Sequence, residues 1–443
     1  MTGNPLSCAP AFEIDSHFHL QYAVPVTFRL SCFTRLSPAL VLVACGSTPT
    51  GPASTPEPAP TGAKVDAFDV PITGLARPWI ADFNDGDLLF STPLREADGL
   101  GPLYTRAACS SCHETGVRGP GLVQKMSVVD DDGVTPAKDQ SELDYGHTLH
   151  PLLAGGGKTP ILPPKDDPRI KVTTRFGPPV LGRGYLEAIM DEEIERVEAE
   201  QAARDDGIHG RANRVQYASF ENEDKRFHDH QHGDTLIGRF GLKARVPTLD
   251  DFSADAFQGD MGITSPLRPT EFKNPDGLDD DAKPGIDVDF DSVNLRAIYI
   301  RLLAIPERKA DELGAALFDA AQCSACHVPA LRTRADYPVP ELADTDAPVY
   351  TDLLLHRMGN ELADGLPADP SVDGQANSFD WRTAPLIGLR FNRTYLHDGR
   401  AKTVEEAITM HRGEGSEANP AVDAFEALDA ADQATLVTFV HGL

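Results

Sequence analysis

The sequence predicts a mainly α chain built as two tandem units with long loops, on three observations. A five-residue cysteine–histidine motif occurs twice, at 109–113 and 323–327, with matching flanks. Apolar residues recur at helical spacing in several segments, whereas sustained apolar–polar alternation is missing. Glycine (37) and proline (36) are plentiful enough to divide the chain into short helices joined by loops. A length of 443 residues leaves room for two or three domains.

The N-terminal segment reads as an export signal. Arg29 and Arg35 precede the apolar run Leu36–Ala44, which is far shorter than the roughly 20 residues needed to span a bilayer. Leu42-Val43-Ala44-Cys45 resembles a bacterial lipobox, in which the cysteine is lipidated and becomes the new N-terminus. Residues 1–28 are mixed and polar, so the signal itself fits a start nearer Val26. Residues 1–44 are therefore read as a lipoprotein-type signal peptide that places the chain on the periplasmic side of a bacterial membrane, lipid-anchored through Cys45. The Pro/Thr-rich residues 45–64 cannot bury a core and suit a tether. The net charge of −28 excludes nucleic acid as a partner and favours basic ones, such as small soluble electron carriers.

Four cysteines carry the chemistry. Cys109-Ser-Ser-Cys112-His113 and Cys323-Ser-Ala-Cys326-His327 are both C-x-x-C-H, the pattern of c-type haem attachment. Two thiols one turn apart add to the two vinyl groups on one porphyrin edge, and the next histidine presents its imidazole to the iron. A zinc site would need four thiolates together, and a disulfide would leave both histidines unexplained. Two covalently bound haem c groups follow, with His113 and His327 as iron ligands.

The flanks repeat as well. Leu103-Tyr104 and Leu317-Phe318 stand at the same offset before each motif, and both arms are expected to be short helices. Arg175–Gly182 is echoed by Arg382–Gly388, and each leads to a Tyr-Leu pair, at 185–186 and 395–396. Two cytochrome c-like haem domains, residues 65–306 and 307–443, account for this repetition. Further helices are predicted over Glu187–Arg204, with Ile189, Ile194 and Val197 on one face, over Ser292–Ile305, and over Ala431–His441 with Asp429 near its cap.

Gly238–Ala244, Asp260–Ser265, Tyr350–Gly359, Trp381–Leu386, Tyr395–Ala401 and Thr403–Ile408 resemble motifs of the di-haem oxidoreductases. That family is also described as thiol oxidoreductases with two c-type haem sites, and it is related to bacterial di-haem cytochrome c peroxidases. The likeness runs from about residue 70 to the C-terminus. It implies two cytochrome c-like domains and hydrogen peroxide chemistry. It also implies a calcium ion between the haem domains, for which the sequence identifies no ligands. Thiol oxidation has no support, because no free thiol pair is left once the haems are attached.

Met358 is the expected distal ligand of the second haem: it follows His327 in a Met-Gly context that matches the family, and a thioether raises the potential. Met410 is the alternative. At the first haem, Met126, His147 or His150 could cap the iron, or one face stays open with Glu187 above it. Glu187 follows Tyr185-Leu186 as His397 follows Tyr395-Leu396, and in a desolvated pocket its pKa would rise enough to trade protons. Electrons are then expected to enter at the C-terminal haem, from a small basic donor such as a cytochrome c or cupredoxin, and to reduce hydrogen peroxide at the N-terminal one. A non-catalytic di-haem electron-transfer cytochrome is the alternative.

Other features are discounted. Gly155–Thr159 lacks the earlier glycine of a phosphate loop, and prolines follow it. The alternating His228, His230 and His232 are expected to be solvated, and the 287–291 acidic run lacks the glycine and closing glutamate of a calcium-binding EF-hand loop. Trp381 is read as core packing.

Overall fold

A computed structural model describes residues 69–443 apart from 115–120, 166, 221, 222, 224 and 369–372. The signal peptide (1–44), the lipidated Cys45 and the tether (45–64) lie outside the described residues. The helices are α1 (Arg77–Ser91), α2 (Arg183–Ala188), α3 (Asp191–Ala202), α4 (Leu249–Met261), α5 (Phe290–Leu302), α6 (Glu312–Ala320), α7 (Val404–Thr409), α8 (Asn419–Ala427) and α9 (Ala430–Gly442). Short strands accompany them: β1 (Leu103–Tyr104), β2 (Leu122–Val128), β3 (Leu152–Leu153), β4 (Ile170–Phe176), β5 (Arg214–Gln216), β6 (Thr235–Ile237), β7 (Leu331–Arg332), β8 (Asp346–Ala347), β9 (Leu355–Arg357) and β10 (Asp380–Arg382). They pair as two-stranded antiparallel ribbons, β1 with β3, β2 with β4, β5 with β6, β7 with β8 and β9 with β10. Helix is thus the commonest regular structure, with short ribbons and long loops between the helices.

The centre is α5. Ten of its thirteen residues are buried, so it is covered on all sides rather than on one stripe. Both α1 and α2 cross it, and each crossing is a glycine contact. A Cβ on Gly86 would collide with Leu295 O, and one on Gly184 with Arg301 O, so only glycine lets these backbones approach. The main core gathers Phe83, Phe90, Leu186, Ile298, Tyr299 and Leu302 with Leu331, Leu342, Leu353 and Ile387, residues from both sides of position 306. A second cluster in the C-terminal part joins Leu317, Phe318, Tyr395, Phe425, Leu436 and Phe439, where α6 packs on α9. No helix among the described residues is long and apolar enough to cross a membrane.

The expected cap at Asp429 is present: its side chain accepts from the N–H groups of Ala431 and Asp432 at the start of α9. The helix expected over Ser292–Ile305 runs instead over Phe290–Leu302, because Asp289 caps it by accepting from Ser292 N. Two helix expectations fail. The helix expected over Glu187–Arg204 breaks at Ile189–Met190, because Ile189 bridges to Thr333 and Met190 N donates to Arg332 O. The acidic Asp191, Glu192 and Glu193 then favour a fresh helix start at α3. The arm before Cys109 is the strand β1 rather than a helix. Gly101 adopts φ 118°, Pro102 follows it, and Thr105 N is taken by Asp260 O. Only the arm before Cys323 is helical, as α6.

Candidate haem sites

The two C-x-x-C-H segments fold alike. Each is one tight 3-10 turn, Cys109–Ser111 and Cys323–Ala325, and in each the histidine N–H donates to the first cysteine's carbonyl, at 3.0 Å for His113 and 2.9 Å for His327. Each histidine also engages Nδ1 with a backbone carbonyl: His113 with Pro178 O at 2.7 Å and His327 with Tyr350 O at 3.1 Å. A carbonyl only accepts, so Nδ1 carries the proton and Nε2 keeps its lone pair. Burial pushes both imidazoles down to about 4, which leaves them neutral at pH 7. A neutral imidazole oriented through its second nitrogen is the form a metal takes.

Around the first motif two glycines stand close against its side chains. Cys112 is buried, and a Cβ on Gly121 would collide with its Cα and Sγ. A Cβ on Gly177 would lie 3.0 Å from His113 Cε1, and the Phe90 ring sits 6.2 Å from the imidazole. Cys109 packs against the main core and is approached by Arg296 of α5.

The second motif opens into an apolar cavity of about 280 Å³. Cys323, Cys326, His327, Met358, Trp381 and His397 all line it. The structure thus brings Met358 to the same cavity as His327. Arg183 and Arg382 line it too, are buried, and form no ion pair among the described residues. Arg183 donates to Pro179 O, while its Nη1 is buried without a partner; Arg382 donates to Gly241 O and Thr383 O. Burial lowers Arg183 to about 9, with repulsion from Arg382 adding to it, and lowers Arg382 to about 10. Two buried guanidinium groups without a hydrogen-bonded carboxylate, at an apolar cavity, match the two propionates of a haem. Thiols, neutral imidazoles and these arginines together fit the group. The arginines were missed in the sequence because Arg382 opens a motif read for its spacing and Arg183 falls between two such motifs.

Beside the cavity His356 is clamped between Asp352 (Nε2, 2.9 Å) and Glu417 (Nδ1, 2.8 Å), with Cys326 Sγ 3.7 Å away. Burial disfavours its charge, but the neighbouring Cys326 and Asp352 hold its pKa well above the usual value. Trp381 is buried, as expected of core packing, with Nε1 donating to Leu362 O at 3.0 Å. It also stacks on His397 at 3.8 Å and receives Lys243 Nζ 3.6 Å from its ring centre.

The segment after β4 links the two sites. Pro178 O accepts from His113, Pro179 O accepts from Arg183, and Phe176, Pro178 and Pro179 line the second cavity.

Glu187 does not have the raised pKa expected of it. Burial alone would raise it, but Arg301 donates to both carboxylate oxygens (2.7 and 3.1 Å), with Leu249 N (2.8 Å) and Tyr337 OH (2.7 Å) adding to the set, and they hold it down at about 2. Its analogy with His397 also fails, since Glu187 is helical whereas Leu396, just before His397, has φ 65°. Asp260, by contrast, is raised to about 6 by burial, with Asp255 adding to it, and its charge is felt at Cys112. Met126 is packed with Leu103, Val128 and Leu149, and His147 Nδ1 is engaged by Met126 O at 2.9 Å. His150 is buried with Nδ1 unpartnered. Met410 packs in the C-terminal core. His232 is exposed as expected, but His228 is buried against Tyr217 OH at 3.2 Å.

Residues 165–443 match the family described as "Di-haem oxidoreductase, putative peroxidase", and the chain belongs to that family. The matched stretch includes the second C-x-x-C-H and begins after the first. Among solved structures, the diheme peroxidase BthA from Burkholderia thailandensis E264 is similar at 14% identity and a TM-score of 0.37, over 84% of this chain and 87% of that one. Hydrazine synthase of Kuenenia stuttgartiensis is similar at 14% identity and a TM-score of 0.36, over 92% and 100%. No curated protein matches the chain.

Proposed function

We propose that this chain is a c-type di-haem oxidoreductase with peroxidase-like chemistry. It would receive electrons at the C-terminal haem and reduce hydrogen peroxide at the N-terminal one. The observation that carries the reading is the pair of identical turns, each with its histidine Nδ1 fixed on a backbone carbonyl, set in unlike surroundings. Cys109, Cys112, Cys323 and Cys326 would form the thioether links, and His113 and His327 would offer Nε2 to the irons. Bound haem supplies a one-electron centre and, where one face stays open, a place for peroxide to be reduced.

The chain's own part is positional and electrostatic. Met358 offers its thioether to the second iron, which suits a centre that only passes electrons. Arg183 and Arg382 neutralise the propionates, and the apolar cavity wall excludes water. Asp260, whose charge acts on Cys112, would be the acid nearest in effect to the first haem and so the group to hold a proton there; this role was expected of Glu187. The two haem-bearing parts correspond to residues 65–306 and 307–443. The acidic surface suits a small basic donor such as a cytochrome c or cupredoxin, and Cys45 would anchor the chain on the periplasmic side of a bacterial membrane. Spectra of the purified holoprotein test the reading. A high-spin ferric signal that changes on adding peroxide is expected, whereas two low-spin haems indifferent to peroxide would make it an electron carrier.

A further inference from the structure

Three carboxylates outside the haem sites converge in the loops around the start of α5. One oxygen each from Glu271, Asp281 and Asp287 lies within 4.8 Å of the other two. Each residue also has a buried oxygen without a hydrogen-bond partner: Glu271 Oε1, Asp281 Oδ2 and Asp287 Oδ1. Asp287 is only 4% exposed, and its other oxygen is fixed by Thr264, whose N–H and Oγ1 both donate to Oδ2 at 2.7 Å. One carboxylate is therefore locked in place, with its second oxygen left for something the protein does not supply.

The loop is built to bring the others to it. Asp281 Oδ1 accepts from Lys283 N at 2.5 Å, and Asp280 Oδ2 accepts from Gly285 N at 2.8 Å, which curls residues 280–287 around the cluster. Gly99 stands against Asp287, where a Cβ would collide with its carboxylate. Lys283 directs its Nζ to the Asp287 backbone carbonyl. Burial first, and then mutual repulsion with neighbouring acids, pushes Glu271 up to about 8.

We propose that Glu271, Asp281 and Asp287 form a structural binding site for one divalent cation of the calcium type. The donors are all hard oxygens on loops, without histidine or cysteine, which selects calcium over zinc or copper. Flexible loop carboxylates favour calcium over magnesium, which demands a small, regular octahedron. The ion joins the 271–287 loop, which leads into α5, to Thr264 just after α4; because Arg296 of α5 approaches Cys109, this steadies the first haem site. The sequence carried no EF-hand pattern here because Glu271 comes from ahead of the acidic run rather than from within it.

Thermal unfolding and calorimetric calcium titration of the full-length holoprotein, after treatment with EDTA, test the proposal. The expected result is one calcium per chain and a rise in Tm with calcium concentration, a shift lost in E271Q and in D281N. Both residues are partly exposed, so their amides leave the fold intact, which Tm in EDTA checks. The proposal is overturned if wild type binds no calcium, if the variants keep the full shift, or if magnesium matches calcium at equal concentration.

Discussion

The two C-x-x-C-H sites share a backbone and differ in almost everything around it. Both turns close on the first cysteine carbonyl and both histidines rest Nδ1 on a carbonyl. Yet the first has two glycines close against its side chains, with Asp260 felt at Cys112, while the second faces an apolar cavity with two buried arginines and Met358. A motif of five residues thus orients a ligand, and the surroundings assign it a task. The pattern alone makes the two sites equivalent; packing makes them different.

The comparison breaks most completely by removing one site. Cys323→Ala with Cys326→Ala should halve the covalent haem, read as mass retained after denaturation, and abolish peroxide turnover; loss of both haems would show that the sites are not independent. Met358→Ala should change the spin state of the second haem alone and slow turnover by at least the ~10-fold usual for disrupted metal surroundings, measured by spectroscopy and steady-state rates. Gly121→Ala, by contrast, should disturb only the first site, costing about 1–3 kcal/mol in thermal or denaturant unfolding and lowering haem attachment there. Arg183→Gln should lower the reduction potential of the second haem and leave the first unchanged in a redox titration, because a nearby positive charge favours the reduced form.

The smallest effect concerns pH. Asp260 is raised from 3.8 to about 6, so in that interval the folded chain holds a proton that the unfolded chain has released. Its contribution to stability is greatest below pH 3.8 and declines as pH rises toward 6. Asp260→Asn should flatten that part of the stability–pH curve relative to wild type, and should remove the matching step in the pH profile of peroxide reduction.

Much of this was legible in the sequence where the signal was local. The paired motifs, the cap at Asp429 and the buried stripe of Ile194 and Val197 need only neighbours a few residues away. What escaped depends on distant partners. Glu187 looked like a pocket acid because Arg301 lies 114 residues further along. The break at Ile189 required Thr333, and the strand at Leu103 required Leu153. Arg183 and Arg382 show their meaning only by meeting at one cavity from positions 199 residues apart, which no linear pattern displays.

The adjacent prolines at 178 and 179 have a consequence for how freely the rest of the chain can vary. One carbonyl is directed to the histidine of the first centre and the next to an arginine of the second. Neither residue has an N–H to lose, and both rings fix φ. Changes elsewhere that keep these two peptide units leave both groups their acceptors, whereas a change at Pro178 or Pro179 bears on both candidate sites at once.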